Sequence, residues 1–169
     1  LDTLRAVFSD DIIAYENIDI STILLDLLLE KELTISFVES VTGGELSSRF
    51  TKNPGASKVL KGSSITYTND AKKLLIDEEV DYKNWPELTE VLSENALNHY
   101  STDLNLSILG EAGPITSSKY GIGDIFITIS NKEKSVSSKH KINGNRQEII
   151  ERSVNKAFWE LIKFLKNLY

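Results

Sequence analysis

Three short polar segments and one basic position hold the residues best suited to covalent or proton-transfer chemistry. The first is Glu39-Ser40-Val41-Thr42-Gly43-Gly44. A serine hydroxyl acts as a nucleophile when a neighbouring group takes its proton. In the Thr42-Gly43-Gly44 turn that follows, the glycines would let backbone N–H groups converge on one point without side chains in the way. Such a turn, leading into a helix, suits an oxyanion or a phosphate, because a helix N-terminus adds positive potential. It is neither a G-x-S-x-G elbow nor a P-loop. On spacing alone it fits equally a plain strand-to-helix turn capped by Ser or Thr.

The second segment holds Tyr67, Asn69 and Lys72. Asn69 is a fair helix N-cap, which puts Lys72 in the first turn, where a cation is disfavoured and its pKa should fall, further if buried. A neutral lysine is a competent general base for a serine, and Tyr67 could relay or donate a proton. An exposed lysine and a core tyrosine are the plainer alternative. Lys73 stands next to Lys72, and only one of the two can face inward. The third segment, Gly110-Glu111-Ala112-Gly113-Pro114, is a loop with unusual backbone angles at one or both glycines, or a simple turn. Arg146, close after Gly144, could hold a phosphate or carboxylate, or be an ordinary surface ion-pair partner.

All three polar segments follow expected strands, and in an open α/β sheet ligands bind beyond the carboxyl ends of strands. Ser21 is read as the cap of a helix whose apolar face is Ile23, Leu24, Leu27 and Leu28. A strand is expected over 33–38, a helix over 44–52 and a break at Pro54-Gly55. Residues 63–68 read as a strand, 69–75 as a short helix, and Pro86 as the first turn of another helix continued by Leu88, Val91, Leu92 and Ala96. A strand over 104–109 ends at Gly110. Segments 123–129 and 135–142 read as an antiparallel pair. A long helix from Asn145 or Arg146 to about Leu168 closes the chain, burying Ile149, Val154, Ala157, Phe158, Leu161 and Leu165. The expected fold is therefore α/β, a three-layer α/β/α sandwich around a mixed, mostly parallel sheet. Residues 18–169 make one domain, and residues 1–17 read as a linker-like arm leading into it.

Composition narrows the chemistry. With no cysteine, disulfides, thiolate zinc sites and a cysteine nucleophile are excluded. His99 and His140 are too few for a histidine-rich metal site, and neither has an obvious catalytic setting. The net charge of −6 disfavours nucleic acid as a partner. The lysines at 132, 134, 139 and 141 read better as guards of an edge strand. No apolar run approaches the roughly 20 residues of a membrane span, and no signal-peptide pattern opens the chain. The absence of methionine suggests a fragment or a processed product.

Together the segments resemble the CinA C-terminal domain family, which includes nicotinamide-mononucleotide amidohydrolases. The family's Glu-Ser-Cys-Thr-Gly-Gly is similar to residues 39–44, its Pro-Gly-Ala-Ser to residues 54–57, and its Tyr-Ser-Asn-Glu-Ala-Lys to residues 67–72. Its Gly-Ile-Ala-Gly-Pro loop resembles residues 110–114, and its Gly-Asp-Arg resembles residues 144–146. The resemblance runs in order from about residue 20 to 168. It implies hydrolysis of the carboxamide of nicotinamide mononucleotide to the acid and ammonia. Ser40 would be the nucleophile, with Tyr67 and Lys72 (rather than Lys73) assisting. Thr42, Gly43, Gly44, Asn69, Gly110 and Arg146 would bind substrate. It implies no metal or organic cofactor, a cytoplasmic location, a homo-oligomer, and kinship with proteins carrying a larger N-terminal CinA domain, to which the arm would be a linker. Several positions depart from the family. Val41 replaces cysteine, Leu109 a Thr or Ser, and Glu111 an isoleucine. Residues 115–123 are shorter than the family's glycine-rich stretch, with Tyr120 near an expected lysine. Asn145 replaces aspartate, and Ile150 stands where a second arginine is common. Two other readings stay open: a non-catalytic binding or assembly module, and an amidase for another small amide.

Overall fold

Period-two burial along the strands sorts the side chains of one sheet onto two covered faces. The computed structural model describes residues 18–76, 79–116 and 118–167; the expected arm at 1–17 lies outside the described residues. Strand β1 (Ile35–Glu39) is buried along its whole length, as a central parallel strand should be. It pairs in parallel with β2 (Leu60–Ile65) on one side and β3 (Leu104–Gly110) on the other. Strands β4 (Asp124–Asn131) and β5 (Ser135–Lys141) continue the sheet antiparallel, so the order is β2-β1-β3-β4-β5. Only β4 runs against the other four, which gives the mixed, mostly parallel sheet expected from the sequence.

Helices α1 (Ile20–Glu30), α2 (Glu45–Thr51) and the closing helix form one layer. They cover Leu104, Leu106 and Ile108 of β3 and Ile125, Ile127 and Ile129 of β4. Phe50 anchors this side, edge-on to Phe37 at 5.5 Å and beside Phe158 at 6.2 Å. Next in chain order come α3 (Asn69–Lys72), α4 (Trp85–Tyr100) and α5 (Arg146–Lys166), the closing helix. Leu88, Leu92 and Ala96 of α4 pack on Val38 and Leu109 across the opposite face. That face also buries a polar network in which Asn105 donates to Ser36 Oγ at 2.9 Å and accepts from Ser93 and Ser107 at 3.0 Å. Asn145 and Glu148 form a reciprocal capping box at the start of α5.

Several boundaries differ from the expectation, each for a local reason. Asp19 caps α1 by accepting from both the N–H and the hydroxyl of Ser21, which draws Ser21 inside the helix. Strand β2 begins at Leu60, three residues before the expected start at 63. The Tyr100 ring lies over Gly62, where any side chain would collide with it, and Tyr100 bonds Ser64 Oγ at 2.7 Å. Residues 66–68 lie past the end of β2, although the Thr66 N–H still donates to Glu39 O at 2.7 Å, and Thr68, not Asn69, caps α3 through the Ala71 N–H. No helix of the described residues is long and apolar enough to cross a membrane.

Candidate active site

β1 delivers Ser40 to the carboxyl end of the sheet, and the Ser40 N–H donates to Ile108 O at 3.0 Å, tying it to β3. The residue before it, Glu39, turns a fully buried carboxylate under the following turn. Its Oε2 accepts from the Thr42 hydroxyl at 2.7 Å and from the Gly44 and Leu46 N–H groups at 3.0 Å. Its Oε1 accepts from the Ser47 N–H at 2.8 Å and from the Ser47 hydroxyl. The first N–H groups of a helix have no partner within it, and here an internal carboxylate takes up those of α2. Five hydrogen bonds and the positive end of α2 compensate the desolvation of this anion.

That arrangement corrects the reading of the glycine turn as an open cradle for an anion. The Gly43 N–H donates to Ser40 O at 3.2 Å and the Gly44 N–H to Glu39, and Thr42, Gly43 and Gly44 lie outside the cavity lining. The two glycines hold left-handed backbone, with φ of 59° and 101°. A Cβ on Gly44 would come within 2.9 Å of Ile65 Cδ1. The turn thus braces Ser40 from beneath.

Lys72 reaches Ser40 from α3. Only 5 % exposed, its Nζ donates to Thr66 O at 2.8 Å and lies 3.3 Å from Ser40 Oγ. Burial pushes its pKa down to about 8. The physical cause differs from the one expected. α3 has four residues and Lys72 is its last, so removal from water, not the start of a helix, destabilises the ammonium. Lys73 turns outward and pairs with Asp70 at 2.8 Å in solvent. Tyr67 does not join the pair. It is 56 % exposed, and its hydroxyl accepts from Arg146 Nη2 at 2.9 Å, while Arg146 Nη1 donates to Gly113 O at 2.6 Å. Arg146 thereby links the loop after β2 to the loop after β3 at the rim.

These groups border one cavity of about 500 Å³. Ser40 and Lys72 lie at its buried floor, and Asn69, Gly110, Tyr67 and Arg146 also line it. Five lining residues carried no functional reading in the sequence: Tyr82, Lys83, Trp85, Ser118 and Lys119. Trp85 stacks on Tyr120 with centroids 4.7 Å apart, and the Trp85 backbone N–H donates to the Tyr120 hydroxyl at 3.1 Å. The sequence signal for this wall was the aromatic and basic run at 82–85 just ahead of Pro86. Glu39 was also missed as a structural anion. Its signal was a carboxylate directly ahead of a glycine turn and a helix. Glu111, at the end of β3, is a further lining residue, 9 % exposed, and its Oε1 accepts from the Gly113 N–H at 3.3 Å.

Known proteins resemble this chain in sequence and in fold. The model of the CinA C-terminal domain matches residues 17–165. A CinA-like protein of Endomicrobium trichonymphae is 35% identical over 157 residues, covering 89% of this chain and 37% of its own length. A CinA-like protein of Petrotoga mobilis is 31% identical over 178 residues, covering 100% of this chain and 43% of its own. The chain therefore spans about two fifths of the length of these curated relatives. In fold it is similar to a CinA superfamily protein of Klebsiella pneumoniae, with TM-score 0.83, 17% identity, and 88% and 96% of the two chains covered. It is likewise similar to a competence/damage inducible protein of Agrobacterium tumefaciens, with TM-score 0.78, 22% identity, and 87% and 93% covered.

Proposed function

The chain belongs to the CinA C-terminal domain family, and on that premise we propose that it is an amidohydrolase that converts the carboxamide of nicotinamide mononucleotide to the carboxylate and ammonia. The observation that carries this reading is the buried Lys72 amine 3.3 Å from Ser40 Oγ. With its pKa near 8, roughly a tenth of Lys72 is the free amine at neutral pH, enough to act as a base. Ser40 Oγ attacks the carboxamide carbon as Lys72 takes the hydroxyl proton. The C–N bond then breaks as Lys72 returns that proton to the leaving nitrogen, releasing ammonia. Water attacks the resulting ester as Lys72 takes its proton; the bond from the acyl carbon to Ser40 Oγ then breaks, Lys72 returns the proton to Ser40 Oγ, and the free acid departs.

The developing oxyanion needs a donor. Val41 lines the cavity beside Ser40, and its N–H has no partner among the described residues. An N–H directly after the nucleophile serves this purpose in other serine hydrolases. Arg146 and Tyr67 bound the mouth, where a phosphate would sit. The reading is of a cytoplasmic enzyme that assembles with copies of itself and works alongside or within a longer protein. Ammonia release from nicotinamide mononucleotide tests it directly, with Ser40→Ala lower by about a thousandfold or more. No release by the unaltered protein overturns the reading, and equal release by Ser40→Ala removes Ser40 from the mechanism.

A further inference from the structure

The turn that leads from β5 into α5 carries a reactive pair of its own. Asn143 is the only asparagine of the sequence that precedes a glycine. It is exposed, and its carboxamide makes no hydrogen bond among the described residues, whereas those of Asn53, Asn131 and Asn145 are all bonded. The N–H of the next residue, Gly144, likewise has no acceptor among the described residues. A glycine has no Cβ to shield its nitrogen from the preceding side chain. The fold nevertheless needs glycine here. Gly144 has a φ of 145°, and a Cβ on it would come within 2.9 Å of both Cβ and Oε2 of Glu148. A free carboxamide therefore stands beside a free backbone nitrogen, in a residue type that is chemically labile.

We propose that Asn143-Gly144 is a self-modification site, at which conversion of Asn143 to isoaspartate loosens the Arg146 brace at the cavity mouth. The Gly144 nitrogen bonds to Asn143 Cγ, the Cγ–Nδ2 bond breaks, and the proton lost by Gly144 ends on the departing ammonia. Water then opens the five-membered imide. Breaking the bond from Cγ to nitrogen gives aspartate; breaking the bond from the main-chain carbonyl carbon to nitrogen gives isoaspartate. Each chain consumes one water and releases one ammonia, with no other reactant. In isoaspartate the chain runs through the former side chain, which adds a methylene to the backbone just ahead of α5. The Asn143 carbonyl, which accepts from Arg152 Nη1, becomes a carboxylate off the chain. Asn145 caps α5 through Glu148, and Arg146, its first residue, holds Gly113 O and the Tyr67 hydroxyl. A longer lead-in pulls both out of register. The inference is independent of the reaction at Ser40 and Lys72.

The test ages the full chain for days in mildly alkaline buffer and then reads chemistry and structure separately. Complete tryptic digestion after denaturation cuts behind Lys141 and Arg146, so residues 142–146 leave as one short peptide. Mass spectrometry should find the acid at Asn143 at least about tenfold more often than at any other asparagine, with isoaspartate confirmed by methyltransferase labelling. Brief trypsin treatment of the folded protein reports the brace, because Arg146 must leave its hydrogen bonds to be cut. Aged protein should be cut after Arg146 at least about threefold faster than fresh protein. Asn143→Gln keeps the carbonyl that Arg152 holds, forms the ring far more slowly, and should be cut at the fresh rate even after ageing. Asn143→Asp carries the new charge without the extra methylene and should also be cut at the fresh rate. Conversion at Asn143 no faster than elsewhere, an unchanged cutting rate, or an equal rise in aged Asn143→Gln overturns the proposal. Cutting of Asn143→Asp as fast as the aged protein overturns it too, since charge alone would then loosen the turn.

Discussion

The floor of the cavity and its mouth are built on opposite principles. At the floor, Glu39, Ser40, Thr66 and Lys72 are buried and bonded to one another or to backbone, although they come from the end of β1, the segment after β2 and α3. At the mouth, Arg146, Tyr67, Lys83 and Lys119 come from separate segments and extend long, exposed side chains. The floor fixes where a bond can break. The mouth decides what is presented to it, and each of its members can change without disturbing the core. The departures from the family's pattern fall on both: Leu109, buried on the lining, stands in place of a Thr or Ser, while Glu111, Tyr120 and the short 115–123 segment alter the wall and mouth.

The largest effect should come from the floor's hidden support. Glu39→Ala leaves the N–H groups of Gly44, Leu46 and Ser47 without their acceptor in a buried site. The cost should be about 3–5 kcal/mol, lowering the melting temperature by roughly 10 °C and abolishing ammonia release. A variant that melts within about 2 °C of the unaltered protein would show that the floor is not held this way.

Lys72 sharpens the comparison because its contributions to rate and to stability have opposite signs. Activity should rise with pH through about 8, as the amine loses its proton, and then level off. Lys72→Met should lose about 10²–10⁴ of kcat. The unfolded chain keeps the lysine proton up to its ordinary value of 10.5, while the folded protein releases it near 8. Stability of the unaltered protein therefore rises with pH across that window, and the burial penalty is fully present below it. Lys72→Met should accordingly be more stable by on the order of 1–3 kcal/mol at neutral pH, an advantage that shrinks toward pH 10.5. Urea unfolding at neutral and alkaline pH measures it, and a constant difference would place the cause elsewhere.

Sequence periodicity carried the order of elements because burial on each covered sheet face imposes it residue by residue, as in Leu104, Leu106 and Ile108 against Asn105 and Ser107. It misplaced β2 because Gly62 reads as a weak strand residue, and its reason for being glycine is the distant Tyr100 ring. The choice of Lys72 over Lys73 came from the resemblance; residue types alone left both open. Glu39 illustrates the converse limit. Its neighbours in sequence are its partners in space, yet nothing in the residue types says that the carboxylate points under the turn instead of into the cavity. The Trp85–Tyr120 stack joins segments 35 residues apart, and their meeting depends on how the loop after β3 returns across α4.

Arg146 tests whether the mouth can change alone. Removing it by Arg146→Ala frees Tyr67 and Gly113 O at once. KM for nicotinamide mononucleotide should rise about tenfold, with kcat changed much less, since the Ser40 and Lys72 geometry is untouched. Arg146→Lys should recover little of this, because one ammonium does not reproduce the two-ended span from Gly113 O to the Tyr67 hydroxyl. A fall in kcat equal to the loss in kcat/KM would instead make Arg146 part of the bond-breaking step.

The smallest effects belong to Lys83 and Lys119, whose exposed ammoniums act on a ligand mainly through a screened field. Lys83→Ala and Lys119→Ala should each raise KM only a few-fold at low ionic strength, and the difference should fade as salt shortens the screening length below about 8 Å. Melting temperatures should stay within about 1 °C, since neither side chain packs into the core. A salt-independent loss would mean that the lysine makes a direct, desolvated contact, moving that residue from the adjustable mouth into the fixed part of the site.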